Sequence, residues 1–139
     1  MADPHGLQRF VDAQAPVYAQ VTAELVRGRK ASHWMWFIFP QIAGLGSSAM
    51  AQRYAIAGRE EARAYLGHPV LGPRLLECTR LVIAHEGRSA EDIFGGIDAL
   101  KFRSSMTLFA TVADEPGPFE DTLAKFFGGK ADPLTLERL

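Results

Sequence analysis

The sequence predicts an all-α fold, a compact array of about seven to nine short helices in a single domain over residues 1–139. Apolar residues recur at spacings of three and four along most of the chain, as on the buried face of an amphipathic helix. Strand signals are few, because the chain lacks both a sustained apolar/polar alternation and an Asn-Gly hairpin. Glycine and proline divide the chain into short segments, which favours many short helices.

Composition narrows the function classes. A chain of 139 residues suits one domain and can bury a core without disulfides. A net charge of −1 gives no strong field for nucleic acid or an anionic membrane, so neither partner is predicted. The single cysteine, Cys78, excludes an internal disulfide, and no HExxH or CxxC spacing occurs, so no metal and no cofactor is predicted. No signal-peptide pattern is visible, which leads us to expect a cytoplasmic location, while the oligomeric state is left open.

Two helices are predicted before the first unusual segment. Asp3 suits the cap of the first helix, whose apolar positions extend to Gln14. Pro16 suits the first turn of the second helix. Gly28 follows the last apolar position of that helix and suits its C-terminal cap.

The run from His33 to Gln41 is the most unusual segment of the chain. It contains both tryptophans and two of the nine phenylalanines. Aromatic surface at this density packs a core or lines a pocket. Its secondary structure is ambiguous from the pattern alone, although Pro40 would end any helix at that point.

Two further helices and a long third one are predicted in the middle of the chain. Ser47 or Ser48 suits the cap of a helix that reaches Ile56. Residues 59–66 form the next helix. After a Gly-His-Pro turn, residues 69–85 read as a long helix that a Gly-Pro pair near its start could kink or delay.

The C-terminal part predicts four helices. Residues 89–92 resemble a capping box for one short turn. Asp98 suits the cap of the following helix, which reaches Val112. Residues 119–127 form a helix ended by two glycines, and Asp132 with the proline after it starts a last short helix.

The run from His33 to Gln41, with Arg29-Lys30 before it and Gly44-Leu45-Gly46 after it, resembles the signature of a bacterial family. That family is catalogued as domain of unknown function 1810, and its members are sometimes labelled calpastatin. The resemblance extends over nearly the whole chain through Tyr54-Ala55-Ile56, Glu61-Ala62, Tyr65-Leu66, His68-Pro69, Ile93-Phe94-Gly95, Lys101 and Ser104-Ser105-Met106-Thr107-Leu108-Phe109. It implies a compact all-helical fold and no established activity.

A second polar segment interrupts the predicted helix that ends at Val112. On a helix, Lys101, Ser104 and Ser105 share a face, and Arg103 lies between them in the chain. A desolvated lysine can deprotonate a serine, or the group can hold a phosphate or carboxylate. Alternatively, the lysine extends to water and the serines bond carbonyls one turn back. The lysine precedes the serines, which reverses the order found in Ser-Lys hydrolases and weakens the catalytic interpretation.

The aromatic run offers candidates of its own. His33 could act as acid or base near neutral pH, or be a structural histidine. Trp34, Trp36 and Phe37 could stack on a flat ring, although core packing explains at least one tryptophan equally well. Gln41 carries a donor and an acceptor that could read an amide or a base edge, or cap the turn after Pro40.

Ser47 and Ser48 belong to a glycine-serine segment, residues 44–48, that opens a predicted helix. Backbone N–H groups there could face an anion. The segment lacks the lysine of a phosphate-binding loop and follows no convincing strand, so a flexible connector is the alternative.

These observations lead to two functional hypotheses. In the first, residues 33–41 wall an aromatic pocket, Lys101 and the two serines form its polar corner, and residues 44–48 form its rim. The pocket would bind, or hydrolyse with help from His33 or Lys101, a small nucleotide-like or ADP-ribosyl anion. In the second, the protein is a non-enzymatic interaction module that docks a partner on the aromatic run. Whether the protein is an enzyme stays open at this point.

Overall fold

The computed structural model describes residues 3–139, and all regular secondary structure in that range is helical. The ten helices are α1 (Gln8–Gln14), α2 (Tyr18–Arg27), α3 (Met35–Ile38), α4 (Ala49–Arg53), α5 (Arg59–Gly67), α6 (Leu71–Ile83), α7 (Ala90–Phe94), α8 (Gly96–Val112), α9 (Gly117–Phe127) and α10 (Pro133–Glu137). The all-α prediction is confirmed. The count slightly exceeds the predicted seven to nine, since the aromatic run contributes a four-residue helix of its own.

Most helix ends follow the predicted signals. The Asp3 carboxylate accepts hydrogen bonds from two backbone N–H groups at the start of α1, at 2.8 and 3.0 Å. Gly28 ends α2 in the left-handed conformation, with φ +79°. Ser89 and Asp92 form the reciprocal capping box of α7. The Asp132 carboxylate accepts from the N–H of Leu134 at the start of α10.

Several boundaries differ from the prediction. Helix α2 begins at Tyr18, so Pro16 lies before its first turn, α6 is shorter than the predicted 69–85, and α9 begins two residues before 119.

Two further differences have a visible cause. Helix α4 ends at Arg53, because Ile56 forms an isolated parallel bridge with Ile42 instead of continuing the helix. Helix α8 begins at Gly96 rather than after Asp98, so the prediction of Asp98 as a cap is wrong. The Asp98 carboxylate is turned to two lysines, as described below.

Helix α8 is the central element of the fold. It packs against α5, α7, α9 and α10, and its residues 104–109 are all buried. Phe102 at its middle contacts Phe39 at a ring-centroid distance of 4.9 Å and Phe94 at 4.6 Å. Because neighbours surround α8, its interior half lacks a polar face. Its first turns, near Lys101, reach the surface, as does Thr111 close to its C-terminal end.

Most of the aromatic run belongs to this core. Trp34, Phe37 and Phe39 are buried, and Phe37 packs against Tyr54 at 5.4 Å between ring centroids. The buried amide of Gln14 donates to the Phe37 carbonyl at 2.7 Å, which attaches α3 to α1. Trp36 is the aromatic residue of this run that stays half-exposed.

Candidate functional site

A groove of about 340 Å³ lies where three segments meet at the exposed end of α8. Its lining comes from residues 41–46 of the loop after α3, residues 97–104 of α8, and residues 132–134 at the start of α10. This volume lies at the lower end of the range found for small-molecule sites. We call this feature the groove.

Lys101 is the cation at the edge of the groove. Its ammonium lies 5.4 Å from the centre of the Trp36 ring, within cation–π distance. It lies 3.7 Å from Asp98 Oδ1, which is too long for a hydrogen bond. The side chain is 27% exposed. This ion pair therefore leaves the N–H donors of Lys101 free for a ligand.

Asp98 is shared with a second lysine. Lys30 Nζ lies 3.0 Å from Asp98 Oδ2, and it also lies 5.2 Å from the centre of the Trp34 ring. The Lys30 side chain is only 10% exposed. Two cations thus face one surface carboxylate, an arrangement that leaves an excess of positive charge beside the groove.

The groove also carries an amide and an aliphatic lining. Ile56 donates its N–H to the backbone carbonyl of Gln41, and Gln41 is one of the residues that line the groove. Ile97, Leu100 and Leu134 form the apolar part of the lining, and Ile97 is 75% exposed. Large aliphatic side chains at such exposure suit the flat face of an apolar group.

The third side of the groove is fixed by a polar connection between α8 and α10. Ser104 donates its hydroxyl to Asp132 Oδ2 at 2.7 Å, and Thr135 donates to the same oxygen at 2.7 Å. Burial would raise the pKa of the Asp132 carboxyl, but these hydrogen bonds and that from Leu134 outweigh it and lower the pKa. Arg103 donates to two backbone carbonyls at residues 130 and 131, both at 2.8 Å. Ser104 and Arg103 line the groove, but both already hold the C-terminal segment in place.

Trp34 has a different environment from Trp36. It is 1% exposed, and its indole N–H donates to the buried Glu24 carboxylate at 3.0 Å. Glu24 also accepts from the backbone and hydroxyl of Ser32. Trp34 and Phe37 therefore have no face open to a ligand in this structure.

The remaining predicted residues lie apart from the groove lining. His33 is exposed and precedes α3, whereas Ser105 is fully buried on α8 with no hydrogen-bond partner for its hydroxyl in residues 3–139. Ser48 caps α4 by accepting from the N–H of Ala51 at 3.1 Å, and the carbonyl of Ser47 accepts from Gln52. Of the four catalytic candidates, Lys101 and Ser104 line the groove.

From the sequence, Asp98 was predicted only as a helix cap, and the exposed leucines and isoleucine of the groove were not predicted as site residues. The spacing of Asp98 and Lys101 is i, i+3, which is readable as a helix-surface ion pair. Ile97 and Leu100 also lie off the buried face that Phe102 and Phe109 define, a signal of an exposed apolar pair. The approach of Lys30 to Asp98 has no such local signal, because they lie on distant segments.

The fold and the groove define a small all-helical protein with a cation beside an aliphatic depression. The family model described as "Protein of unknown function (DUF1810)" matches residues 4–139. The chain belongs to that family, and the resemblance noted in the sequence is confirmed.

A solved structure supports the same fold. The chain is similar to the conserved hypothetical protein Rv1873 from Mycobacterium tuberculosis, known from a crystal structure, with 58% sequence identity and a TM-score of 0.97. The match covers 99% of this chain and 98% of that one. None of the curated proteins matches this chain. Within residues 3–139, every helix is too short or too polar to cross a bilayer.

Proposed function

We propose that this protein is a cytoplasmic domain that binds a small nucleotide-type anion in the groove. The observation that carries the proposal is the meeting of Lys101, Gln41 and an aliphatic lining around one depression of about 340 Å³. These are the three chemistries that a nucleotide needs: a cation for phosphate, an amide for the base edge and an apolar surface for the ring.

The ligand position differs from a simple aromatic sandwich. The Lys101 ammonium lies 5.4 Å from the centre of the Trp36 ring, so the indole holds the ammonium in place rather than stacking on the base of the ligand. The base would instead lie against Leu100 and Ile97, with its edge at Gln41. An ADP-ribosyl ligand fits the same lining with its ring placed in the same way.

The test is a thermal-shift and calorimetric titration with AMP, ADP and ADP-ribose. We expect stabilisation of the wild-type protein by at least one of these, and a loss of about tenfold or more in affinity in Lys101→Met, the size expected when a hydrogen-bonded charge is removed. Lys125→Met is the matched control, because it removes the same charge from α9, outside the groove lining. No stabilisation by any of the three ligands would contradict the proposal.

Hydrolysis is a separate prediction. Lys101 and Ser104 are at the groove, but the Ser104 hydroxyl is donated to Asp132 at 2.7 Å rather than to a base. Binding alone therefore leaves the hydrogen bond from Ser104 to Asp132 intact, whereas nucleophilic attack by Ser104 would have to break it. Incubation with the bound nucleotide, followed by chromatography of products, tests hydrolysis. Product formation that is lost in His33→Ala or Lys101→Met would support it.

A second candidate function is docking of a partner protein on the same face. One observation favours it: Ile97, Leu100 and Leu134 are all large aliphatic side chains that are more than half exposed. A partner would bury all three together, whereas a base that lies against Leu100 and Ile97 does not need Leu134. A Leu134→Asp variant that leaves nucleotide stabilisation intact but abolishes a partner complex would favour docking.

A further inference from the structure

We propose that His68 is a pH-sensitive cap of α6: its neutral imidazole holds the turn that opens the helix, and its protonation releases that turn. His68 directly follows α5 and precedes Pro69. Residues 67–69 were predicted only as a turn, and none of them lines the groove. The proposal therefore concerns a second region of the molecule and does not depend on nucleotide binding.

The backbone around His68 has the geometry of a helix N-terminus. Its φ of −70° and ψ of 133° are extended, as is typical of an N-cap residue. Its carbonyl accepts the N–H of Gly72 at 3.1 Å, so helical hydrogen bonding reaches back beyond Leu71, where α6 begins. Pro69 then occupies a first-turn position, where the N–H that proline lacks would have no partner in any case.

The imidazole supplies the acceptor of this cap. The backbone N–H groups of Val70 and Leu71 both donate to Nδ1 of His68, at 3.1 and 3.3 Å. A ring nitrogen can accept only when it carries no proton, so the cap requires the neutral imidazole with its proton on Nε2. Serine, threonine, aspartate and asparagine are the usual N-cap residues, and none of them titrates near neutral pH. A histidine at this position makes the cap depend on pH.

Protonation of His68 reverses the interaction. Nδ1 becomes an N–H donor that faces two other N–H donors, and the ring gains a positive charge at the positive end of the helix dipole. Leu71 is fully buried, and Gly72 lies against the backbone carbonyl of Leu66 at the end of α5. Release of the turn would therefore also loosen the contact between α5 and α6.

A second histidine caps a helix in the opposite sense. Nε2 of His85 lies 2.6 Å from the carbonyl oxygen of Leu25, in the last turn of α2. A carbonyl only accepts, so the imidazole donates, and a protonated ring can still donate. A positive charge is also favourable at the C-terminus of a helix. Acid therefore breaks the cap at His68 but not the cap at His85.

Asp3 is a charged group that acts against this effect. The pKa of its carboxyl is lowered by hydrogen bonds from the N–H groups of Gln8 and Leu7, and also by the charge of His68. As an anion it favours the protonated imidazole, but Asp3 is exposed, so solvent weakens the attraction. Because its pKa lies below 3.8, it stays ionised at the pH values used below, and its effect is constant.

The charged side chains of the adjoining helices have other partners. Arg9 of α1 forms an ion pair with Glu61 of α5 at 2.8 Å. The Arg74 guanidinium of α6 lies over the ring of Tyr18 on α2. Arg63 of α5 lines a separate cleft of about 410 Å³. His5, on the same segment as Asp3, is the further titratable group that the experiment has to control.

Urea denaturation at about pH 7.5 and about pH 5.5 tests the proposal. A side-chain N-cap is worth a factor of about five in the folding equilibrium constant. His68→Asn keeps an acceptor oxygen but cannot titrate, so the wild-type constant should fall about threefold or more beyond any fall in this variant. His68→Ala should be less stable than the wild type at the higher pH and should lack the same component. His5→Asn should keep the wild-type pH dependence.

Amide hydrogen exchange locates the effect without any variant. The protection factors of the Val70 and Leu71 N–H groups, which correct for the intrinsic exchange rate, should fall by a similar factor on acidification of the wild-type protein. If both amides keep their protection at the lower pH, protonation does not release the turn and the proposal is wrong. Equal losses of stability in the wild-type protein and His68→Asn would show that another group causes the pH dependence, which also overturns the proposal.

Discussion

Glu24 is a buried carboxylate that joins α2 to the segment before α3. It lies on α2 and accepts hydrogen bonds from the backbone N–H of Ala31 at 2.7 Å, from the Ser32 hydroxyl at 2.6 Å and from the Trp34 indole at 3.0 Å. All of these partners are hydrogen-bond donors, which suits an ionised carboxylate because it can only accept hydrogen bonds. Glu24 therefore fixes the loop between α2 and the aromatic run, and with it the tryptophan beneath Lys30.

The ionisation of Glu24 should make the protein acid-sensitive. Burial would raise the pKa of its carboxyl, but the hydrogen bonds, that from Ser32 first, outweigh burial and lower the pKa to about 2. The carboxyl binds protons more weakly in the folded chain than in the unfolded one. Its contribution to the free energy of unfolding is therefore complete above pH 4.5, the ordinary value, and is lost as the pH falls towards 2. The expected loss is roughly 3 kcal/mol.

Urea denaturation between pH 7 and pH 2 measures this effect. Glu24→Gln should lower the free energy of unfolding at pH 7 by about 2–4 kcal/mol, because an amide places an N–H against existing donors. The same variant should show a flatter pH dependence below 4.5. Glu115→Gln, at an exposed loop position, should match the wild-type curve. A wild-type slope retained in Glu24→Gln would show that another group causes the acid sensitivity.

At the level of the elements, α5 and α6 meet at a glycine, Gly72, where the two backbones lie too close to leave room for a side chain. A Cβ atom at Gly72 would lie 2.1 Å from the carbonyl oxygen of Leu66. The obstacle is backbone, so it cannot move aside as a side chain would. Leu71 beside it is fully buried, which means that α6 cannot easily shift away from α5.

Gly72→Ala should therefore destabilise the protein by about 1–3 kcal/mol, the usual cost of overpacking, despite the better helix propensity of alanine. Gly67→Ala is the matched control, because a Cβ there meets nothing within 4 Å and the residue has no positive φ. We expect that control to change the free energy of unfolding by less than about 1 kcal/mol. Thermal denaturation followed by circular dichroism distinguishes them. Equal stability of the two variants would be inconsistent with the close approach at Gly72.

The element boundaries show what local sequence can and cannot predict. Caps such as Asp3, Gly28 and Ser89 act within a few residues of their own position, so their roles were predictable. Ile56 was assigned to a helix because its neighbours have helical spacing. Its pairing with Ile42 depends on a contact fourteen positions away, which no local pattern encodes.

At the level of the whole molecule, the buried apolar residues form one cluster that draws on both halves of the chain. Phe10 near the start and Phe119 near the end belong to the same cluster. The single-domain organisation over residues 1–139 stays a prediction, and it implies cooperative unfolding. Urea transitions followed by tryptophan emission and by far-UV circular dichroism should coincide. Two separated transitions would instead indicate independently folding parts.

The fold class was predictable from the chain because helical periodicity is repeated in nearly every segment. The groove was only partly predictable. Lys101 and Gln41 were singled out by their residue types, but the meeting of Lys30 with Asp98 depends on how α8 packs beside the loop after α2. The tryptophans show the same limit. Trp34 is buried and donates its indole N–H to Glu24, whereas Trp36 is half-exposed and lies against Lys101. Because the two side chains are identical, their residue type does not predict this difference.

Binding at Lys101 is the central claim, and tryptophan fluorescence tests it most directly. Trp36 lies 5.4 Å from the Lys101 ammonium, so a ligand that draws Lys101 away should change its emission. We expect AMP to produce a saturable change in the wild-type protein that disappears in Trp36→Phe, while Trp34 still reports a folded core. In Lys101→Met the midpoint should move to about tenfold higher AMP or beyond. A saturable change with the same midpoint in the wild-type protein and Lys101→Met, or no change at any AMP concentration, would contradict the account.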